Sequence, residues 1–384
     1  MKKLNIAIIG LGNIGSYLYR YLNENKKILT EKNNCLPFIK YVSAKNKKRK
    51  RNIKIKKNQW LNNYLDATVI KDVDLIVELI GGSEGPAKKL VFDALKNKKH
   101  VVTANKALIA KYGDQLAKIA EKNKVNLEFE AAVCGGVPII RSLKESLIAN
   151  KISKIYGILN GTSNYILSSM ERDNKNFQEV LSIAKKLGYA ETNPSADLNG
   201  DDVAAKLKIL SSLCFNSFLS NNIYVEGIKE IDTSDINNAN KLGYKIKLLG
   251  FAELLNNNIY QRVHPTLIKK SSYIASIDGV LNAVIIDGKP VGENVIQGEG
   301  AGPEATTSAL VSDISSILRG NIKFPFSISN NERKKLLYKE ISDRSYSAYL
   351  RFDVVDKPGV LSNITNIFSK NKVSIKRLIQ NPSK

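Results

Sequence analysis

The sequence predicts an α/β protein whose first part is a doubly wound parallel sheet and whose middle part is an α+β region. Over residues 1–133, short apolar runs alternate with amphipathic helical stretches, which favours parallel strands joined by helices. A glycine-rich turn follows the first apolar run. Short β-like runs then dominate residues 222–297, which is typical of an antiparallel sheet with helices on one face.

The elements of the first part follow from periodicity and punctuation. Pro86 stands at the first turn of a helix, where its missing N–H costs nothing. Strands are expected at 5–10, 38–44, 72–82, 100–105 and 125–133, and helices at 13–25, 86–98 and 107–123.

Beyond residue 134 the composition changes. A glycine turn and Pro138 precede a helix, and "KISKIYGILNGTSNYILSSM" predicts a strand, a loop and a helix. Two further helices are expected at about 177–187 and 201–216. Residues 345–384 predict a strand, a Pro-Gly turn, a helix and a strand.

Composition limits the class of protein. A chain of 384 residues with 43% apolar residues can form two or three domains. Its three cysteines are widely separated and accompany no CxxC or Cys/His cluster, so neither a disulfide framework nor a zinc site is expected. No apolar run approaches the roughly 20 residues of a membrane span, and the polar sequence after "MKKLNIAIIG" argues against a signal peptide. We therefore expect a cytoplasmic protein with no membrane partner.

The formal charge of +23 raises the alternative of a nucleic-acid-binding protein. The lysines are scattered among asparagines, however, and no aromatic residues alternate with them to form a stacking platform. Solvated lysine-rich faces explain the charge better, so no nucleic-acid partner is predicted. The densest run, residues 45–57, holds nine basic residues and no acid.

The first strand ends in "GLGNIG", which places Gly10, Gly12 and Gly15 in the pattern G-x-G-x-x-G. Between a strand and a helix, these glycines permit a tight turn, close approach to a pyrophosphate and helix packing. The turn, including Asn13 and Ile14, predicts dinucleotide binding by a Rossmann sheet. A merely glycine-rich turn is the alternative.

An acid that would hold a ribose hydroxyl is missing after the second strand, where "YVSAKNKKRKR" is basic. A 2′-phosphate suits these cations better, so we expect a preference for NADPH, with NADH still possible. Lys45 is the first candidate contact, and Lys47, Lys48 and Arg49 remain open. The alternative is a solvated mobile loop.

Scarce acids gather in "YAETNPSADLNGDDVAAK", residues 189–206. Asp202 and Lys206 are four residues apart on a predicted helix and share a face. One interpretation is a surface ion pair with acids that complement the helix N-terminus. The other is functional, because a lysine in a mostly apolar setting beside a carboxylate can give a proton to a carbonyl oxygen while hydride arrives at carbon.

Seven motifs in this order resemble the homoserine dehydrogenase family over residues 5 to about 318: "GLGNIG", "VVTANKALIA", "EAAVCGGVPII", "ILNGTSNYIL", "GYAETNPSADLNGDDVAAKLKIL", "RVHPTLI" and "GEGAGPEATTSALVSDI". That family reduces aspartate 4-semialdehyde to homoserine with NAD(P)H on the route to threonine and methionine. The alternative, another NADPH-dependent amino-acid dehydrogenase, should lack the signatures at 189–206 and 130–138.

The resemblance implies roles for individual residues. Lys206 corresponds to the proton donor and Asp202 to the acid beside it. Glu191 corresponds to the residue that holds the substrate ammonium, and Asp197 to a second pocket carboxylate. Lys106 corresponds to a lysine near nicotinamide and substrate.

Two glycine-containing loops also match the family. Gly302, in "GEGAG", corresponds to a glycine that contacts the cofactor. "EAAVCGGV" resembles a monovalent-cation site, with sodium expected, whose ligands would be Glu130, Val133, Gly135 and Val137. A buried Glu130 satisfied by backbone amides is the alternative.

The expected domains are a Rossmann domain over 1–133, completed by a helix near 303–318, and a catalytic and dimerisation domain over 134–302. Residues 345–384 resemble the first half of an ACT domain, from which we expect weak or absent threonine inhibition. A homodimer or homotetramer is expected.

Overall fold

The computed structural model describes residues 2–380 of the chain. Within them, one sheet is parallel throughout and consists of β1 (Lys2–Ile9), β2 (Cys35–Ser43), β3 (Leu75–Glu78), β4 (His100–Thr103) and β5 (Leu127–Glu128). The strand order is β2-β1-β3-β4-β5. The connecting helices are α1 (Asn13–Glu24), α2 (Lys26–Asn33), α3 (Asp66–Val69), α4 (Pro86–Lys96) and α5 (Lys106–Asn123).

A short helix, α6 (Ile139–Arg141), and a π-helical turn lead into the second part of the chain. The remaining helices are α7 (Gly161–Asp173), α8 (Phe177–Lys186), α9 (Ser195–Asn199), α10 (Asp201–Phe215), α11 (Thr233–Lys241), α12 (Pro303–Leu318) and α13 (Val360–Lys370). The remaining strands are β6 (Lys151–Ile158), β7 (Tyr224–Val225), β8 (Tyr244–Leu255), β9 (Asn258–Lys269), β10 (Leu281–Lys289), β11 (Gly292–Glu299) and β12 (Leu337–Lys339).

Both faces of the parallel sheet are covered, which confirms the predicted doubly wound architecture. Along β1, Ile6 and Ile8 pack in the cluster that contains α1 and α12, whereas Ala7 and Ile9 pack in the cluster that contains α4 and α5. This alternation is the period-2 geometry of a strand. The helix expected near 303–318 is α12, which packs against α1.

The second sheet is mixed and has the order β11-β10-β6-β8-β9-β12 within residues 2–380, with β7 also pairing with β9. β6, β8, β9, β10 and β11 pair antiparallel, whereas β7 and β12 run parallel to β9. α7, α10 and α11 pack on one face of this sheet, as predicted. α10 is central to this layer and carries the acidic stretch into the core.

The strand expected over 125–133 is wrong beyond its first part. It is confined to β5, because the chain turns into a 3-10 helix at Glu130–Ala132 and sends the Glu130 side chain into the core. The region 222–297 is dominated by strands, as predicted, and also contains α11. Asp232 caps α11 by accepting hydrogen bonds from the amides of Ser234 and Asp235.

The C-terminal segment contains α13 without paired strands among the described residues. The strand-like stretches on either side of α13 form no ladder. Tyr349 anchors this segment by donating a 3.1 Å hydrogen bond to Asp235. No helix within residues 2–380 is long and apolar enough to cross a membrane.

Gly15 should be essential for the packing of α1, whereas Gly12 should not. A Cβ at Gly15 would lie 2.0 Å from the carbonyl oxygen of Gly10, but a Cβ at Gly12 would meet no atom within 4 Å. We expect Gly15→Ala to lower the free energy of unfolding by about 1–3 kcal/mol, as overpacked sites do, and Gly12→Ala to leave it nearly unchanged. Urea unfolding of both variants tests this, and equal stabilities would contradict it.

Candidate active site

The acidic stretch forms a short helix and a left-handed turn that lead directly into α10. α9 ends at Gly200, whose φ of +89° places it in the left-handed region, and α10 begins at Asp201. A Cβ at Gly227 would lie only 2.1 Å from the carbonyl oxygen of Leu198. The turn is therefore held closely, and the direction in which α10 starts is fixed by backbone contact.

Three charged side chains meet at the start of α10. Lys206 Nζ lies 2.8 Å from Asp202 Oδ2, and Lys106 Nζ lies 2.9 Å from Asp202 Oδ1. Asp202 and Lys206 are buried, whereas the Lys106 side chain is 43% exposed. Lys106 is the first residue of α5, so this cluster joins the parallel-sheet region to α10. The ion pair predicted from spacing is therefore buried rather than on the surface.

Asn160, which sequence reasoning missed, completes the cluster. Its Nδ2 donates to Asp202 Oδ2 at 2.8 Å and to Asp197 Oδ1 at 2.7 Å. Its Oδ1 accepts the amide of Ser163 at 2.8 Å and so caps α7. Lys206 also donates to the carbonyl oxygen of Leu159 at 2.6 Å. The "LNG" of the β6–α7 loop was an available signal, because an Asn before Gly is a common helix N-cap.

The cluster favours a protonated lysine beside an ionised aspartate. Burial is the strongest single influence and would lower the pKa of Lys206, but the charge and hydrogen bond of Asp202, together with Cys134 and Asp197, raise it overall. Burial alone would raise the pKa of Asp202, but Lys206 and Lys106 hold it well below its usual range. Burial raises the pKa of Asp197, and the Asp202 charge adds to that effect while the Asn160 hydrogen bond opposes it.

No polar contact joins Glu191 to this cluster among the described residues. Glu191 is exposed, in the loop between α8 and α9, and makes no hydrogen bond or ion pair among the described residues. The nearby Tyr189 carbonyl accepts a 2.7 Å hydrogen bond from Thr162, which ties this loop to α7. The structure thus joins four of the five predicted catalytic and substrate-binding residues directly or through Asn160 and leaves Glu191 at the edge.

The glycine turn borders a cleft of about 300 Å³ at the start of α1. Gly10 has a φ of +111°, and no side chain caps the first turn of α1, which leaves its amides available to an anion. A second cleft of about 290 Å³ adjoins Gly12, Asn13, Ile14, Gly15, Arg49 and Leu79. This arrangement can hold a phosphate group.

The basic loop folds over this cleft, but its residues have different roles. Arg49 lines both clefts, whereas Lys45 is exposed and lines neither. Lys47 donates to Asn62 at 2.7 Å. Arg51 donates to the carbonyl oxygen of Leu11 at 2.9 Å and to that of Asn46 at 2.8 Å. Arg51 thereby fastens the loop to the glycine turn, a role that its place in a basic run did not reveal.

In the "EAAVCGGV" loop, both carboxylate oxygens of Glu130 accept hydrogen bonds from backbone amides. Glu130 Oε1 accepts the amide of Ile140 at 2.9 Å, and Oε2 accepts that of Arg141 at 2.6 Å. Burial raises the pKa of this carboxyl to about 7 despite those bonds. The carbonyl oxygens of Val133 and Gly135 accept no hydrogen bond within residues 2–380, whereas that of Val137 accepts the amide of Ile139 at 2.7 Å.

These contacts match the amide-bonded alternative for Glu130. Each carboxylate oxygen has a further lone pair, and two free carbonyls lie in the same turn. Within residues 2–380, no group of three or more His, Cys, Asp and Glu side chains could hold a metal ion. Any ion here would depend on backbone oxygens.

Gly302 stands beside this loop at the start of α12, with a φ of +109°. The preceding "GEG" turn packs so tightly that a Cβ at Gly135 would lie 2.6 Å from the carbonyl oxygen of Gly300. Gly136 donates to Glu299 at 2.9 Å. The two glycine turns are therefore one packed unit between the parallel-sheet region and the mixed sheet.

Comparison with known families gives matches along nearly the whole chain. Residues 10–130 match the model described as homoserine dehydrogenase, NAD binding domain, and residues 138–315 match the homoserine dehydrogenase model. Residues 348–384 match the ACT domain model.

Individual relatives agree with these models. A homoserine dehydrogenase of Neisseria gonorrhoeae is 40% identical, over 99% of this chain and 88% of the relative. That of Bacillus subtilis is 36% identical, over 100% of this chain and 89% of the relative. A crystal structure of a homoserine dehydrogenase from Thiobacillus denitrificans superposes with a TM-score of 0.90 at 35% identity, covering 99% of this chain and 89% of that one.

Proposed function

The chain belongs to the homoserine dehydrogenase family, and we propose that Lys206, Asp202 and Lys106 form the site of its reaction. The protein is an NAD(P)-dependent oxidoreductase that acts on a CH–OH group and interconverts L-aspartate 4-semialdehyde and L-homoserine, a step of threonine and methionine biosynthesis. The observation that carries the site assignment is the buried amine of Lys206, held between Asp202 and the carbonyl of Leu159.

Lys206 is proposed to act as the general acid. When bound, the nicotinamide cofactor supplies a hydride, with both electrons of the new C–H bond, to the aldehyde carbon. Lys206 gives one of its protons to the oxygen that gains the electrons of the carbonyl π bond, which yields the alcohol. In the reverse direction the neutral amine accepts that proton. Asp202 holds the ammonium in place and keeps it protonated before transfer.

Lys106 and Asn160 are proposed to orient this acid. Both donate to Asp202, so the carboxylate is held at each oxygen and cannot rotate away from Lys206. Lys106 also adds positive charge near the oxygen that becomes negative, which is the kind of fixed electrostatic stabilisation that lowers such barriers. Glu191 and Asp197 are proposed to hold the substrate ammonium. Asp197 is joined to the cluster through Asn160, and Glu191 is exposed in the loop that leads into the same helix, α9.

Lys206→Met should abolish the proton donor without disturbing the cofactor cleft. We expect kcat to fall by about 10²–10⁴, the usual contribution of a general acid, with the Kd for NADPH changed less than about twofold, which is under 0.5 kcal/mol. NADPH oxidation in the presence of aspartate 4-semialdehyde and a fluorescence titration of NADPH measure the two quantities.

Lys208→Met is the matched control, because Lys208 lies on the same helix and, within residues 2–380, its amine donates to Asn221 at 2.6 Å and to no member of the cluster. It should keep kcat near the wild-type value. A Lys206→Met protein with unchanged kcat would remove this lysine from the mechanism.

We propose that the enzyme prefers NADPH and that Arg49 contacts the 2′-phosphate. Arg49 borders the same cleft as Gly12 and Asn13, and Arg51 holds its loop there. Lys45 remains a candidate through loop motion, but its exposed position makes it the weaker choice. A guanidinium can form paired hydrogen bonds with a phosphate.

Arg49→Gln should reduce the discrimination between the two cofactors. Loss of one charge-assisted contact, roughly 1.5–3 kcal/mol, should raise KM for NADPH about tenfold or more while KM for NADH stays nearly constant. Steady-state kinetics with each cofactor measure this, with Lys45→Gln as the comparison variant. Equal kcat and KM values of the wild-type enzyme for NADH and NADPH would refute the preference itself.

We propose further that a sodium ion binds at Glu130 and the carbonyls of Val133 and Gly135, with Val137 as a fourth, less free ligand. Oxygen donors suit a hard ion. Such an ion would neutralise a buried carboxylate and pin the loop to the "GEGAG" turn, which is a structural role. No proton or hydride is assigned to it.

Sodium should stabilise the folded enzyme through Glu130. At equal ionic strength, replacing choline chloride with sodium chloride should raise Tm by a few degrees, since saturating an ion site adds about 2–3 kcal/mol at 100 times Kd. Glu130→Gln should lose this increment. The matched control is Glu128→Gln, an adjacent buried acid paired with Lys144 at 2.8 Å, which should keep it. If Glu130→Gln keeps the sodium-dependent rise in Tm, no stabilising ion binds at Glu130.

The domain bounds and the assembly also remain proposals. We propose a Rossmann domain over 1–133 completed by α12, a catalytic domain over 134–302 and an ACT-like segment over 345–384. A homodimer or homotetramer is proposed because exposed side chains alternate along β11 at the edge of the mixed sheet.

A further inference from the structure

Arg333 is a buried cation that the proposed chemistry does not use. It lies between α12 and β12, and its side chain is completely enclosed. The guanidinium stacks over the ring of Phe326, with 4.1 Å to the ring centroid. A buried charge is costly unless every donor finds a partner, so its contacts identify what it stabilises.

On one side Arg333 holds the end of α10. Its Nη2 donates to Ser212 Oγ and to the carbonyl oxygen of Ser217, each at 2.8 Å, and its Nε donates to the same carbonyl at 3.2 Å. The backbone of the next residue, Lys334, donates to the carbonyl of Asn216 at 2.8 Å. Arg333 therefore fixes the turn in which α10 ends.

On the other side Arg333 holds α5. Its Nη2 lies 2.7 Å from Asp114 Oδ1, and the Asp114 carboxylate also accepts the amide of Leu219 at 3.1 Å. The neighbouring Gly113 allows this approach, since a Cβ there would lie 2.9 Å from both Leu219 and Phe326. The two helices are thus joined through one guanidinium.

Both helices begin at the proposed active site. Lys106 starts α5 and Asp202 lies in the first turn of α10. At about 1.5 Å per residue, Asp114 is roughly 12 Å along α5 from Lys106, and Ser212 is roughly 15 Å along α10 from Asp202. The helix pair is consequently tied at its start by Lys106–Asp202, and further along by Asp114–Arg333–Ser212, which lies at the middle of α5 and near the end of α10.

We propose that Arg333 is a positioning residue for the reaction, which sets the separation of α5 and α10 and thereby the geometry of Lys106, Asp202 and Lys206. This inference rests on the proposed function of that cluster. A displacement of about 1 Å at a reaction site can cost a hundredfold in rate. Among the described residues, no hydrogen bond, ion pair or ring contact joins Arg333 to the glycine turn or the basic loop, so cofactor binding should be insensitive to it.

The test compares Arg333→Ala with Lys99→Ala at a temperature at which both proteins are folded. Lys99 is also a buried cation, donating to the carbonyls of Ile70 and Val73 at 2.8 and 2.7 Å, but it precedes β4, whereas Lys106 and α5 follow that strand. We expect kcat of Arg333→Ala to fall about tenfold to a hundredfold with KM for NADPH within about twofold, a change under 0.5 kcal/mol. Lys99→Ala should lose stability but keep kcat.

Chemical rescue separates positioning from general destabilisation. Methylguanidinium can occupy the slot left by Arg333→Ala and should restore kcat several-fold, while tetramethylammonium at equal ionic strength should not. Lys99→Ala should respond to neither. A folded Arg333→Ala enzyme with wild-type kcat, or one whose reduced kcat no guanidinium restores, would overturn the proposal.

Asp114→Asn decides the question if Arg333→Ala does not fold. Asp114 is partly exposed and the amide keeps its shape, so this variant should fold and lose kcat at least threefold with KM for NADPH unchanged. Wild-type kcat in Asp114→Asn would then overturn the proposal. Failure of the proposed active site itself is distinguishable, because it would appear as full activity in Lys206→Met.

Discussion

The buried ion pair between Asp202 and Lys206 is the interaction on which the rest of the site depends. Removing two charges from water costs more than their attraction returns unless further hydrogen bonds complete both groups. Here the carboxylate takes donors from Lys106 and Asn160 as well as Lys206, and the lysine also donates to Leu159. Those partners come from α5, the β6–α7 loop and α10, so the electrostatic requirement of one carboxylate brings three separate elements together.

The same pair explains why the reaction can be proposed at this place. A buried ammonium can donate its proton directly to the substrate without competition from bulk water. The second lysine, Lys106, adds positive charge near the oxygen that becomes negative during the reaction. The helices that carry these lysines are long and buried along one side, which makes them rigid supports. Arg333 extends this logic to the middle of α5 and the end of α10, where a second buried charge with its own partners holds the helices together.

Many of the basic side chains in this strongly basic chain make contacts within the protein and are not available to a ligand. Within the basic loop, Arg51 is engaged with the backbone of the glycine turn, Lys47 with Asn62, and Arg49 is left facing the cleft. Only some charges in a run are therefore free to meet a ligand. In the Glu130 loop, the carboxylate that is proposed to contact an ion already accepts hydrogen bonds from two backbone amides.

Much of the fold could be predicted from the sequence, because strand and helix periodicities, the turn glycines and the 201–216 helix are local properties of neighbouring residues. The spacing of Asp202 and Lys206 likewise places both side chains on one helix face. Only the tertiary structure shows that the Asp202–Lys206 pair is buried and that Asn160 and Lys106 also bond to Asp202. It also shows that the backbone of "EAAV" forms a turn where the sequence predicts an extended strand. It also decided that Arg333 joins α5 to α10. Those features depend on contacts between side chains from distant segments in a core of low polarity. A buried charge without a partner is costly, so the fold must pair such charges, but pairing between distant segments produces no periodic pattern in the sequence.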